Sequence, residues 1–70
     1  MTYREATRKL KKLGCDEIPR RSGGSHRKWL NRSTGAGTTL PDWGGRDLKV
    51  GTLRAVVRQL GLEWDDFERA

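Results

Sequence analysis

Apolar positions recur along this chain in two rhythms. At the front, Tyr3, Ala6, Leu10 and Leu13 follow the three-to-four-residue spacing that turns one helix face to a core, while Arg4, Arg8, Lys9, Lys11 and Lys12 take the other faces. Thr2-Tyr3-Arg4-Glu5 has the form of a capping box, and Gly14 suits the residue just past a helix end. Near the other end, Leu53, Val56, Val57 and Leu60 repeat the helical stripe, with Arg54 and Arg58 on the outside and Gly61 as the stop. Glu63-Trp64-Asp65-Asp66-Phe67 then predicts a short terminal helix, its acids near the positive end of the helix dipole and Trp64 or Phe67 turned inward.

Between these helices the period shortens to that of strands. Asp16 to Arg20 reads as the first, kept short or at an edge by Pro19, which cannot donate to a ladder. Ser25 to Arg32 reads as the second. Its alternation sets Ser25, Arg27 and Trp29 on one side and His26, Lys28 and Leu30 on the other. If Trp29 anchors the core, His26 and Lys28 share the open face, and Arg27 must reach the sheet margin to keep its charge solvated. Asn31 to Gly37 supplies the polar and glycine residues of a hairpin loop, and Thr38 to Leu40, closed by Pro41, makes the third strand. Asp42-Trp43 and the Gly44-Gly45-Arg46-Asp47 turn follow, with Trp43 either packing or offering a stacking surface, packing being the simpler role. The implied fold class is α+β, in the order α-β-β-β-α with a small terminal helix: a three-stranded antiparallel sheet, helices on one face and the other open. At 70 residues, positions 1–70 are expected to form one domain with an economical core.

Charge changes the picture from fold to partner. Fifteen Lys and Arg against nine Asp and Glu give a net charge of +6. The excess is uneven: twelve basic and five acidic residues lie between Met1 and Lys49, three basic and four acidic beyond. A concentrated positive field draws polyanions, most often nucleic acid or an acidic protein. Cys15 is the only cysteine, so no internal disulfide is expected. With a single histidine as well, a four-ligand zinc site is not expected either, and a reduced, cytoplasmic setting follows. No long apolar run or signal-peptide pattern appears, so neither a membrane association nor a targeting step is expected.

The candidate chemistry lies in Arg20-Arg21-Ser22-Gly23-Gly24-Ser25-His26-Arg27-Lys28-Trp29, which places the only histidine in the densest basic cluster. Imidazole is the side chain suited to exchanging protons near neutrality. RNA carries its own nucleophile, the 2′-OH, so one group to take its proton and cations to hold the phosphorane charge suffice, and no metal or other cofactor is called for. His26 is the candidate catalytic residue. Arg20, Arg21, Ser25, Arg27 and Lys28 are the candidate RNA contacts. A non-catalytic RNA-binding module would use the same basic surface, with His26 as a hydrogen-bond donor. A DNA-binding regulator fits less well, because apart from Gln59 the helix around Leu53 to Leu60 lacks the side chains of a recognition helix.

The order of elements, together with Gly24-Ser25-His26 on the second strand, Leu40-Pro41-Asp42-Trp43-Gly44-Gly45-Arg46-Asp47-Leu48 and Gly51-Thr52-Leu53-Arg54-Ala55-Val56-Val57-Arg58-Gln59-Leu60-Gly61, resembles the HicA toxins of bacterial toxin-antitoxin pairs. The resemblance covers nearly the whole chain. It implies a fold similar to the double-stranded-RNA-binding domain, an mRNA interferase that cleaves mRNA and arrests translation, His26 as the catalytic histidine, and a HicB-type antitoxin that masks the toxin. The chain departs from the pattern twice. Many members carry a second His directly after the first, where Arg27 stands here; many carry another after the third strand, where Asp42-Trp43 stand here.

Overall fold

In the computed structural model, which describes residues 1–19 and 24–70, the chain runs α1 (Tyr3–Lys12), β1 (Cys15–Ile18), β2 (His26–Asn31), β3 (Gly37–Pro41), α2 (Val50–Gln59) and α3 (Trp64–Arg69). The three strands form one antiparallel sheet in the order β1-β2-β3, so β2 is paired on both sides. This is the α+β fold of the double-stranded-RNA-binding domain type that the sequence implies.

Both ends of α1 and the end of α2 have local causes. Thr2 caps α1 as expected: its hydroxyl accepts from the Glu5 N–H at 3.3 Å, and the Glu5 carboxylate accepts from the Thr2 N–H at 2.8 Å. Those two bonds satisfy donors that a helix start otherwise leaves open. Gly14 and Gly61, at φ +88° and +72°, adopt the left-handed conformation that ends α1 and α2. Helix α2 begins one turn ahead of its first stripe residue and carries Gly51 inside it, a helix cost of about 1 kcal/mol that core burial offsets. β1 stops at Ile18, immediately before Pro19, the residue that cannot extend the ladder.

The core lies between the sheet and the helices. Ala6 and Leu10 of α1, Cys15, Trp29 and Leu40 of the sheet, Leu48, and Leu53, Val56, Val57 and Leu60 of the α2 segment are buried together with Phe67. Trp29, 1 % exposed, is the largest side chain in it, and its indole N–H donates to the Tyr3 hydroxyl at 3.2 Å, so its one polar group is not stranded. Thr7, Asn31 and Thr38 are the buried polar side chains among the described residues, and Asn31 is the deepest. Its amide donates to the Leu60 carbonyl at 2.7 Å and accepts from the Ser33 N–H at 3.0 Å, tying the β2–β3 turn to the end of α2. Burial raises the pKa of the Cys15 thiol, with Asp16 adding to the effect, so it stays protonated and unreactive. Of the two aromatic rings in α3, Phe67 is the one turned inward; Trp64 packs against it with centroids 5.4 Å apart and stays half-exposed.

Candidate nucleic-acid interface

The strand period assigns the side chains of β2 alternately to two environments. Trp29 and Asn31 are buried on the helix-covered side, and Arg27 shares that side half-buried. His26 and Lys28 are exposed on the other side, which they share with the half-buried Leu30. The register brings Pro41 opposite His26, Thr39 opposite Lys28 and Ile18 on the other flank of Lys28, so the imidazole and the ammonium stand on a central strand between short neighbours. Ile18 is an exposed apolar neighbour on that face. This is a shelf with one imidazole and one cation a strand repeat apart.

Two local features hold the start of β2. Gly24 has φ +128°, a conformation open to glycine but strained for any side chain. The space around it would admit a Cβ, so the backbone angle and not room demands glycine there. The Asp42 N–H donates to the Ser25 carbonyl, and the Asp42 carboxylate accepts from the Gly44 N–H at 3.0 Å, which folds the segment after β3 against the residue preceding His26. Trp43 is half-buried against the core with the Arg46 guanidinium 5.6 Å from its ring centroid. Packing, the simpler of its two roles, is the one seen.

Arg27 lies apart from His26 and Lys28. Its guanidinium donates to Glu17 at 3.1 Å, lies over the Tyr3 ring at 5.6 Å, and brings Nε to 3.2 Å from Asp42 Oδ2. That last contact is an ion pair without hydrogen-bond alignment. The Glu17 hydrogen bond raises a pKa that is already very high, so Arg27 does not exchange protons near neutrality. Arg27, and Asp42 of the Asp42-Trp43 pair after the third strand, thus meet in one ion pair beneath the strand end that carries His26. Glu17 and Tyr3 complete the cluster, and neither stands out by residue type. The available signal was the alternation of β1, which puts Cys15 and Glu17 on the face that Arg27 shares with Trp29. Arg20 and Arg21 lie outside the described residues, and Ser25 is exposed beside His26.

Fold and shelf together define a small basic domain with the fold of the double-stranded-RNA-binding domain and a histidine on its open sheet face. The family model for the HicA toxin of bacterial toxin-antitoxin systems matches residues 3–62, and the chain belongs to that family. Comparison with curated proteins and with solved structures gives no match. Among the described residues, no helix is long and apolar enough to cross a membrane.

Proposed function

We propose that this toxin is a metal-independent endoribonuclease that cleaves mRNA in the cytoplasm, with His26 as its general acid/base and a HicB-type antitoxin as the protein that restrains it. The observation that carries the reading is the placement of His26 and Lys28 on the open face of the central strand, with Arg27 between them turned to the opposite face and held by acids. The imidazole takes the proton of a 2′-OH, that oxygen attacks the adjacent phosphorus, and Lys28 stabilises the negative charge gathered on the non-bridging oxygens. The bond to the 5′-oxygen then breaks, and a proton delivered to that oxygen leaves a 2′,3′-cyclic phosphate and a 5′-OH. A fixed guanidinium at position 27 cannot serve as the second proton carrier, so one imidazole, alone or with Lys28 or water, covers both transfers. The basic shelf that draws RNA would also draw an acidic antitoxin, and occupation of the shelf would block the substrate.

The experiment is incubation of purified protein with a long mRNA in excess EDTA, beside a His26→Ala variant shown by circular dichroism to be folded. Cleavage by the wild type alone, with cyclic phosphate ends, supports the reading; 3′-OH ends exclude 2′-OH attack. A non-catalytic RNA-binding module is the second reading, favoured by one observation: among the described residues, none hydrogen-bonds to the imidazole to orient it. Equal RNA binding by both proteins without cleavage by either would establish that alternative.

A further inference from the structure

The cations of this chain divide into those already neutralised by the fold and those left open. Arg27 pairs with Glu17 and Asp42, Arg32 with Asp16, and Arg69 with Asp66. Lys9 is also committed, its ammonium donating to the Glu68 carbonyl at 2.7 Å and thereby closing the end of α3. The other four cations of α1 are different. Arg4, Arg8, Lys11 and Lys12 are exposed, and none has an acidic partner among the described residues. At i, i+4, i+7 and i+8 they occupy one side of the helix, opposite the stripe of Tyr3, Ala6 and Leu10 that packs on the core. The only carboxylate of α1, Glu5, is occupied by the Thr2 N–H and hydroxyl at 2.8 and 3.0 Å. Arg4, Arg8 and Lys11, with Glu5 and Thr7, also line a shallow cleft of about 630 Å³.

We infer that this face of α1 is a second phosphate-binding surface, and that its occupant is the RNA backbone flanking the cleaved bond. The inference rests on the nuclease reading for the identity of the ligand and extends it to a surface facing away from the sheet. Three arguments support RNA. Arg4 to Lys11 spans about 10 Å of helix axis, so the cations are spread far enough apart to meet successive phosphates of one backbone. The first turn of α1 is anchored at the strand end that carries His26, because Tyr3 lies beneath Arg27, the next residue along β2. The molecule is only 18 Å across in its shortest dimension, a span short against a long RNA, which has length to spare to meet both surfaces. A membrane is a poorer occupant, since no aromatic or aliphatic side chain accompanies the four cations on that face.

The test compares two double variants that remove the same formal charge. Arg4→Gln/Arg8→Gln acts on open cations of α1, and Arg32→Gln/Arg69→Gln on cations already paired; Gln keeps helix propensity close to that of Arg. Binding of a 30-nucleotide 2′-O-methyl RNA, which lacks the attacking hydroxyl, is followed by fluorescence anisotropy over a salt series. The α1 variant is expected to weaken binding at least tenfold at low salt and to flatten the slope of log K against log salt by about 1.4, 0.7 for each single-strand phosphate lost. The paired-site variant should keep the wild-type slope. An unchanged slope in the α1 variant, an equal loss in both variants, or failure of the wild type to bind overturns the inference; loss of antitoxin binding with RNA binding intact assigns the surface to a protein instead. The two readings fail separately: a flattened slope with no cleavage of unmodified RNA leaves the surface and removes the nuclease, and cleavage with an unaltered slope does the reverse.

Discussion

The two faces of β2 carry side chains from the same six residues and do opposite things with them. On the covered face, Trp29 and Asn31 are buried and Arg27 is locked by Glu17, Asp42 and the Tyr3 ring. On the open face, His26 and Lys28 are exposed. A cation one position further along the strand changes from a potential ligand contact to a structural tie, because alternation in an extended chain reverses the side-chain direction at every residue. Positive charge in a sequence therefore has no fixed meaning until the face is known.

That contrast is broken most severely by Trp29→Ala. Removal of a fully buried indole costs about 3–5 kcal/mol, comparable to the whole stability expected of a chain this size, on the order of 5 kcal/mol. Urea titration should find the variant largely unfolded. His26→Ala, three residues away on the other face, should leave the urea midpoint within error of the wild type while lowering the cleavage rate by at least about 100-fold. An unfolded His26→Ala protein would show that the open face is structural after all.

Arg27→Met keeps the aliphatic stem and removes the charge, leaving Glu17 and Asp42 half-buried without their counterion. The thermal midpoint should fall by about 4–8 °C. Lys28→Gln should not move it, but should weaken RNA binding several-fold and reduce the salt slope by about 0.7. A stable Arg27→Met protein with weakened RNA binding would invert this assignment and make Arg27 the ligand contact.

The smallest effect expected is at Glu5. The Thr2 N–H first, and then its hydroxyl, hold the Glu5 carboxyl below the ordinary value of 4.5. A depressed folded-state pKa contributes stability that is fully present above that ordinary value and is lost as pH falls through the folded one. Glu5→Gln should melt slightly below the wild type at pH 7, and the two should converge as pH falls through the folded-state pKa of Glu5. Parallel melting curves across that range would show that the capping box contributes no pH-dependent stability.

Much of the fold was legible because its signals are local. The stripes Tyr3-Ala6-Leu10 and Leu53-Val56-Val57-Leu60, the capping pair Thr2 and Glu5 and the stops Gly14 and Gly61 each act within a few residues, whereas the first strand, expected from Asp16 to Arg20, runs Cys15–Ile18. The separation of His26 and Lys28 from Trp29 followed from alternation once Trp29 was taken as core. The partners of Arg27 were not legible in the same way. Glu17 is ten residues away, Asp42 fifteen and Tyr3 twenty-four, and only strand pairing and the packing of α1 bring them to one guanidinium. Nor did the sequence distinguish Lys9 from Lys11 or Lys12: one closes the end of α3, fifty-nine residues away in Glu68, and the others face solvent.

By itself, then, the sequence determined the helix and strand periods, their caps and stops, the excess of positive charge in the first fifty residues, and the single imidazole on the second strand, since each depends on neighbours in the chain. Only the tertiary structure decided which cations remain available. An ion pair forms or fails to form according to which distant carboxylates the sheet register and helix packing bring within about 4 Å, and that distance is set by the folded chain as a whole.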